Sequence, residues 1–374
     1  MKRKRVLFFI SSMSGGGAER ALLLILKNID RKKYEPVLLL LNRSGELLKE
    51  VPPDILVHEL GKSSRWEAFA LLKRIREAVR RIEPDVIVSL LTYSNSLLLA
   101  AKTIYRIAQP VIVVEQNHLS STLKYLSFPM LRGMTVRLLY RHADSVVGSS
   151  NDCINDLIYR FGIPARIAQC IYNPADVAYC VRRASESIEF PAIMGNGKPT
   201  VLAAGRLTKQ KDFPTLLLAF ETLLQSCEAN LVILGEGELR NQLEDFCQKL
   251  NIREHVCFAG FQSNPYPFFK RADCFVLSSI YEGFGMVIVE AMALKVPVIS
   301  TDCPSGPGEL IENNVSGILT PMRDSETLAV KMKEVLHNEP LRKKIVENAS
   351  KGIDRFSQDK CVHSYERLID SLLK

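Results

Sequence analysis

Short, mostly apolar runs recur along this chain, most of them ending in a polar or glycine-bearing loop that hands over to a helical pattern. Residues 5–10 (RVLFFI), 36–41, 56–60, 85–90, 111–115 and 145–148 form one series; 199–205, 231–234, 256–260, 274–277 and 297–300 form a second. A strand that is apolar on both sides must be covered on both faces, which is the condition of a parallel sheet between layers of helices. Helical patterns intervene. Residues 18–26 are one, and 66–82 are another, with Phe69, Leu72, Val79 and Ile82 placed on one side. The alternation predicts an α/β protein with largely parallel sheets.

With 374 residues the chain is long for one domain and comfortable for two. The stretch 182–198 mixes charge with Pro191, Gly195 and Gly197, and predicts a linker between them. Nine cysteines, with no C-x-x-C pair, point to reduced thiols in the cytosol. Lys2 to Arg5 precede only five apolar residues, so they predict a first strand rather than a signal peptide. No apolar run reaches the 18 residues a membrane span needs.

Charge is unevenly spread. Residues 1–175 carry 26 Lys+Arg against 15 Asp+Glu, and the remainder carries 23 against 26. The basic half suits an anionic partner: a phospholipid surface, a polyanionic substrate or nucleic acid. No nucleic-acid module or basic–aromatic motif supports the last, so no nucleic-acid partner is expected.

The densest chemistry lies in 278–293, SSIYEGFGMVIVEAMA. Gly283 and Gly285 allow a sharp turn, and Gly285 or Met286 opens a helix marked by Val287, Ile288, Ala291 and Met292. A loop feeding a helix N-terminus offers N–H groups to a phosphate. Glu282 and Glu290, eight residues apart, offer acceptors to sugar hydroxyls. An ordinary turn with one solvated and one capping glutamate fits the same letters. Arg206 and Lys211 flank another strand-end loop, as two surface cations or as a diphosphate site. Near the start, Gly16 and Gly17 close a strand–loop–helix that is neither a G-x-G-x-x-G fingerprint nor a P-loop. It is a tight turn or a ligand loop. His118 follows the 111–115 strand, as a satisfied polar residue or a cleft contact.

The order of 205–212 (GRLTKQKD), the paired glutamates and 302–309 (DCPSGPGE) resembles the retaining glycosyltransferase family 4, nearly throughout the chain. Within it the likeness is to bacterial enzymes of cell-envelope glycans and lipid-linked oligosaccharides. The resemblance implies a GT-B fold, two doubly wound Rossmann-like domains facing across a cleft. Residues 1–178 plus 358–374 would bind the acceptor, and 179–357 the nucleotide-sugar donor. It implies Arg206 and Lys211 on the donor diphosphate, with Gly16, Gly17, Gly283, Phe284, Gly285, Met286 and Val287 lining the donor. Glu290 would take the ribose, Glu282 the transferred sugar, and His118 a polar contact to sugar or phosphate. Segment 171–176 looks like the hinge, 235–237 and 256–260 like the base and ribose site. Glu309 caps its helix or reaches the cleft.

The expected reaction is transfer of a hexose or N-acetylhexosamine from a UDP-sugar, in preference to GDP, to a lipid-linked or glycan acceptor in polysaccharide biosynthesis. No cofactor and no metal are expected, since the Arg206/Lys211 charge can replace a divalent ion's. A nucleotide-sugar epimerase of the same fold, or a non-catalytic nucleotide- or glycan-binding subunit, are the alternatives. A monomer is expected, cytoplasmic and peripheral on the inner face of the membrane. Lys73, Arg76 and Arg80 on one helix face, and Arg132, Arg137 and Arg141 interleaved with Leu126, Phe128, Met130, Leu131 and Met134, are the expected contacts to acceptor and membrane. A solvated basic face beside a core helix is the plainer reading of both.

Overall fold

The structure, a computed structural model, describes residues 2–62 and 67–374. Two compact units divide the chain: residues 1–175 with 356–374, and residues 176–355.

The first unit is built on seven parallel strands, β1 (Lys4–Ile10), β2 (Tyr34–Leu40), β3 (Leu56–Glu59), β4 (Val86–Leu90), β5 (Val111–Glu115), β6 (Ser145–Gly148) and β7 (Ala168–Cys170), in the order β3-β2-β1-β4-β5-β6-β7. Because side chains alternate along a strand, β1 feeds two cores. Leu7 and Phe9 join Leu71, Ile75 and Ile82 of the Ala68–Ile82 helix. Val6, Phe8 and Ile10 join Leu22 and Leu26 of the Gly17–Asn28 helix on the other face. That second core is completed from the far end of the sequence by Val362, Tyr365 and Ile369 of the Gln358–Leu372 helix. Its Glu366 accepts from the Asp30 N–H at 2.8 Å, and its Asp370 accepts from the Tyr34 hydroxyl at 2.7 Å.

The second unit carries six parallel strands, β8 (Thr200–Ala204), β9 (Asn230–Leu234), β10 (Val256–Gly260), β11 (Cys274–Leu277), β12 (Val298–Thr301) and β13 (Ile318–Thr320), ordered β10-β9-β8-β11-β12-β13. Both sheets reverse their winding, between β1 and β4 and between β8 and β11. Ligands of doubly wound sheets gather outside the strand carboxyl ends at such points.

Three details depart from the sequence expectations. Strands β7 and β13 are additional: each has three residues, too few to show an apolar run. Phe69 is 82% exposed, while Leu71, Ile75 and Ala78 join Leu72, Val79 and Ile82 on the buried face. Trp66 lies outside the described residues. The first unit ends at 175 rather than 178, because Asp176 caps the Val177–Arg183 helix of the second unit by accepting from the Tyr179 N–H.

Candidate functional site

At the switch point of the second sheet, the loops after β8 and β11 meet. Lys211 reaches back over Gly205, where an added Cβ would lie 2.9 Å from its Cε. Its Nζ pairs with Glu282 Oε1 at 2.6 Å, and the two side chains are only 14% and 8% exposed. The buried Ser279 hydroxyl donates to the same carboxylate oxygen at 2.6 Å. Six hydrogen bonds hold this loop from both sides. From one side, the Ile280 N–H donates to the Gln210 carbonyl, the Gln210 side chain to the Tyr281 carbonyl, and the Ser278 hydroxyl to the Lys211 carbonyl. From the other, Thr301 donates to the Ser279 carbonyl, the Glu282 N–H to the Pro304 carbonyl, and Ser305 to the Gly283 carbonyl. The segments 205–212, 278–285 and 301–306, separate in sequence, are thus one assembly.

Of the two loop glycines only Gly285 takes a positive φ, 90°, and it opens the Met286–Ala293 helix. Met286 and Val287 stand in the first helical turn, whose N–H groups have no intrahelical partner. Phe284 is buried. Glu290 sits on the second turn, 5% exposed, and accepts from the Tyr266 hydroxyl at 3.3 Å. Arg206 differs from Lys211: it is exposed, and among the described residues no side chain pairs with it. Burial, and then the nearby Glu282 carboxylate, push the Cys303 thiol far up, so it is a packing residue here.

The first unit presents its own residues at strand ends. Gly16 is the N-cap of the Gly17–Asn28 helix, and the Glu19 carboxylate folds back against it, 2.7 Å from where a Cβ would stand. This helix start therefore already carries a carboxylate. Ser11, after β1, meets Ser94 at 3.0 Å between their hydroxyls. His118 caps the Leu119–Leu123 helix; its Nδ1 is 3.0 Å from the Ser121 hydroxyl and its Nε2 is 3.7 Å from Asp156. Asp156 is fixed in turn by the N–H and hydroxyl of Ser120.

Beneath β5 lies a group that the motifs did not single out. Glu115, 1% exposed, accepts from the hydroxyls of Tyr140 and Thr92 and from the Asn95 amide. Burial pushes its carboxyl up, opposed by these hydrogen bonds. An acidic residue closing an otherwise apolar strand was the only signal for it. Ser279 and Gln210 stand inside the quoted segments without being marked by them, and Tyr266 stands outside; only the folded chain brings Ser279 to Glu282, Gln210 to the Tyr281 carbonyl and Tyr266 to Glu290.

Of the expected surface cations, Lys73 and Arg80 are exposed on the Ala68–Ile82 helix, Lys73 within 3.9 Å of Glu77. Arg76 does not join them. Its Nε is buried and its guanidinium stacks 5.1 Å over the Tyr105 ring, so packing takes it off the solvent face. Arg132, Arg137 and Arg141 are all exposed.

Two doubly wound parallel sheets, of seven and six strands, are the fold of the GT-B glycosyltransferases. HepE of Anabaena, solved in complex with UDP, has the same fold, with a TM-score of 0.80 over 98% of this chain and 100% of its own at 22% identity. The family described as Glycosyltransferase Family 4 matches residues 15–179, and that described as Glycosyl transferases group 1 matches residues 185–352. Two relatives from Campylobacter jejuni align over most of their length. One is N-acetylgalactosamine-N,N'-diacetylbacillosaminyl-diphospho-undecaprenol 4-alpha-N-acetylgalactosaminyltransferase, 28% identical over 90% of this chain and 91% of its own. The other, GalNAc-alpha-(1->4)-GalNAc-alpha-(1->3)-diNAcBac-PP-undecaprenol alpha-1,4-N-acetyl-D-galactosaminyltransferase, is 29% identical over 98% of both chains. The chain belongs to glycosyltransferase family 4 and is a glycosyltransferase.

Proposed function

We propose that this enzyme transfers a hexose or N-acetylhexosamine from a UDP-sugar to a polyprenyl-diphosphate-linked or other envelope glycan, with retention and without a metal. The observation that carries the donor half is the pairing of a buried cation and carboxylate, Lys211 and Glu282, beside the unpaired Arg206 at a sheet switch point. On this reading Arg206 and Lys211 receive the diphosphate, with the N–H groups of Gly285, Met286 and Val287 nearby. Glu290 accepts from ribose hydroxyls and Glu282 from the sugar. The undecaprenol-linked substrates named for the two C. jejuni relatives, and the UDP in HepE, support the choice of acceptor and donor.

Chemically, the acceptor hydroxyl attacks the anomeric carbon as the bond to the β-phosphate oxygen breaks. Its proton passes to the departing phosphate, on the same face of the sugar. Negative charge grows on the leaving diphosphate, and cations fixed beforehand stabilise that growth. Thermal-shift measurements with UDP, GDP and ADP, followed by UDP release from candidate UDP-sugars with and without EDTA, test the proposal. A shift with UDP alone, and turnover unchanged by EDTA, are the expected results. A shift with GDP only, or activity lost to EDTA and restored by a divalent ion, would refute the base or the metal-free mechanism respectively.

A further inference from the structure

The Pro129–Leu139 helix wears its apolar stripe on the wrong side for a core helix. Met130, Met134 and Leu138 follow one another at intervals of four, with Leu131 beside them, and are 85%, 56%, 58% and 62% exposed. At 3.6 residues per turn these four share the face opposite Val136, the one fully buried residue of the helix. The buried side is thin: a Cβ on Gly133 would lie 3.4 Å from Phe161 and 3.6 Å from Leu123. The stripe continues into the preceding turn, where Phe128 is 76% exposed and Tyr125 and Leu126 are also open.

Charge indicates what covers it. Between Glu115 and Asp144 the sequence has no Asp or Glu and four Lys or Arg: Lys124, Arg132, Arg137 and Arg141. All four are exposed around the apolar face. Arg137 and Arg141 converge at one edge, their guanidinium groups 3.9 and 3.8 Å from the Cβ position of Gly162. A second copy docking by the same face would oppose cation to cation. An anionic bilayer meets both demands, taking the apolar side chains between headgroups and pairing the cations with phosphates. Among the described residues no helix is long and apolar enough to cross a membrane.

We infer that the exposed face of residues 124–141 is a docking surface for an anionic phospholipid bilayer. It deepens the lipid-linked acceptor reading, on which its purpose rests: the helix packs against Leu119–Leu123, whose cap is His118, so an acceptor held in the bilayer is presented beside that histidine.

Co-sedimentation with phosphatidylcholine vesicles, with and without about a third phosphatidylglycerol, tests it. Binding should require phosphatidylglycerol and fade as salt rises, because the Debye length shrinks from ~30 Å at 0.01 M to ~10 Å at 0.1 M. Replacing Arg132, Arg137 and Arg141 together by Gln should lower the partition coefficient by about a hundredfold, at roughly fivefold per cation. Met134→Ser with Leu138→Ser should lower it independently. UDP-induced thermal shift serves as the control and should match the parent in every variant. Its absence from the parent would count against the donor reading and leave the surface standing. No vesicle binding, or binding that both sets of variants leave unchanged, would overturn the surface. A dimer that Leu138→Asp dissolves would overturn it too, in favour of a second copy.

Discussion

Arg206 and Lys211 carry the same charge five residues apart, yet their surroundings assign them different costs of removal. Arg206 is exposed and unpaired, so Arg206→Ala should leave stability within about 0.5 kcal/mol. Turnover should still fall by about 10²–10³, the usual loss of one electrostatic donor to a charge-developing group. Lys211→Ala instead leaves the Glu282 carboxylate without its cation in a nearly buried site. Breaking such a pair costs about 3–5 kcal/mol, so urea unfolding should separate the two variants even where both are inactive. Equal midpoints would deny the pair its structural role. Glu290→Ala should weaken UDP by about 1.5–3 kcal/mol if ribose hydroxyls bind there; Glu282→Ala should spare UDP and harm transfer. Glu115 gives a pH test. Burial raises its folded pKa above the ordinary 4.5, so the folded state keeps a proton that the unfolded chain has released. Its stabilising contribution is complete below that value and is lost as pH rises through the raised one. Glu115→Gln should flatten this decline in unfolding measurements carried upward in pH from below the ordinary carboxylate value; an unchanged slope would locate the decline elsewhere.

At the scale of elements, the strand-end loops of the second unit depend on one close approach. Gly306 has φ of 97°, and a Cβ there would stand 2.3 Å from the Phe284 carbonyl oxygen. Gly306→Ala must therefore push apart the two loops joined by the Ser305–Gly283 and Glu282–Pro304 bonds. We expect lower stability and weaker UDP binding together, whereas Gly195→Ala, with open space and no positive φ, should change neither. A Gly306→Ala protein that bound UDP normally would show that the loop contact is dispensable. The glycines of this region were legible in the sequence as punctuation, and so were strands β5, β6, β10 and β11 to the residue. Partners were not. Nothing in the letters ties Ser279 to Glu282 or Tyr266 to Glu290, because those contacts cross between elements. Periodicity also misplaced Phe69, since a residue in the first turn of a helix can lie past the edge of what that helix covers. Arg76 was hidden by an aromatic neighbour on another helix, which spacing along one helix does not reveal.

For the whole molecule, the chain's return to its own beginning matters most. The last 19 residues belong to the first unit, and they add three basic and three acidic residues, so the charge asymmetry of the two units persists. Their helix fills a face of the first sheet with Val362, Tyr365, Leu368 and Ile369, each under a tenth exposed. Four such side chains at about 1.5–3 kcal/mol each approach the whole net stability of a domain, which is ~5–15 kcal/mol. The second unit has its own core, around Leu216, Phe220, Leu231 and Ile233, to which this helix contributes nothing. Ending the chain at Arg355 should thus unfold the first unit and spare the second. Calorimetry of the shortened chain should lose one transition and keep the other, and UDP should still raise the surviving one, because the residues assigned to UDP in the second unit remain. Loss of both transitions would mean that the second unit cannot stand without the first, and the division into two separately stabilised cores would be wrong.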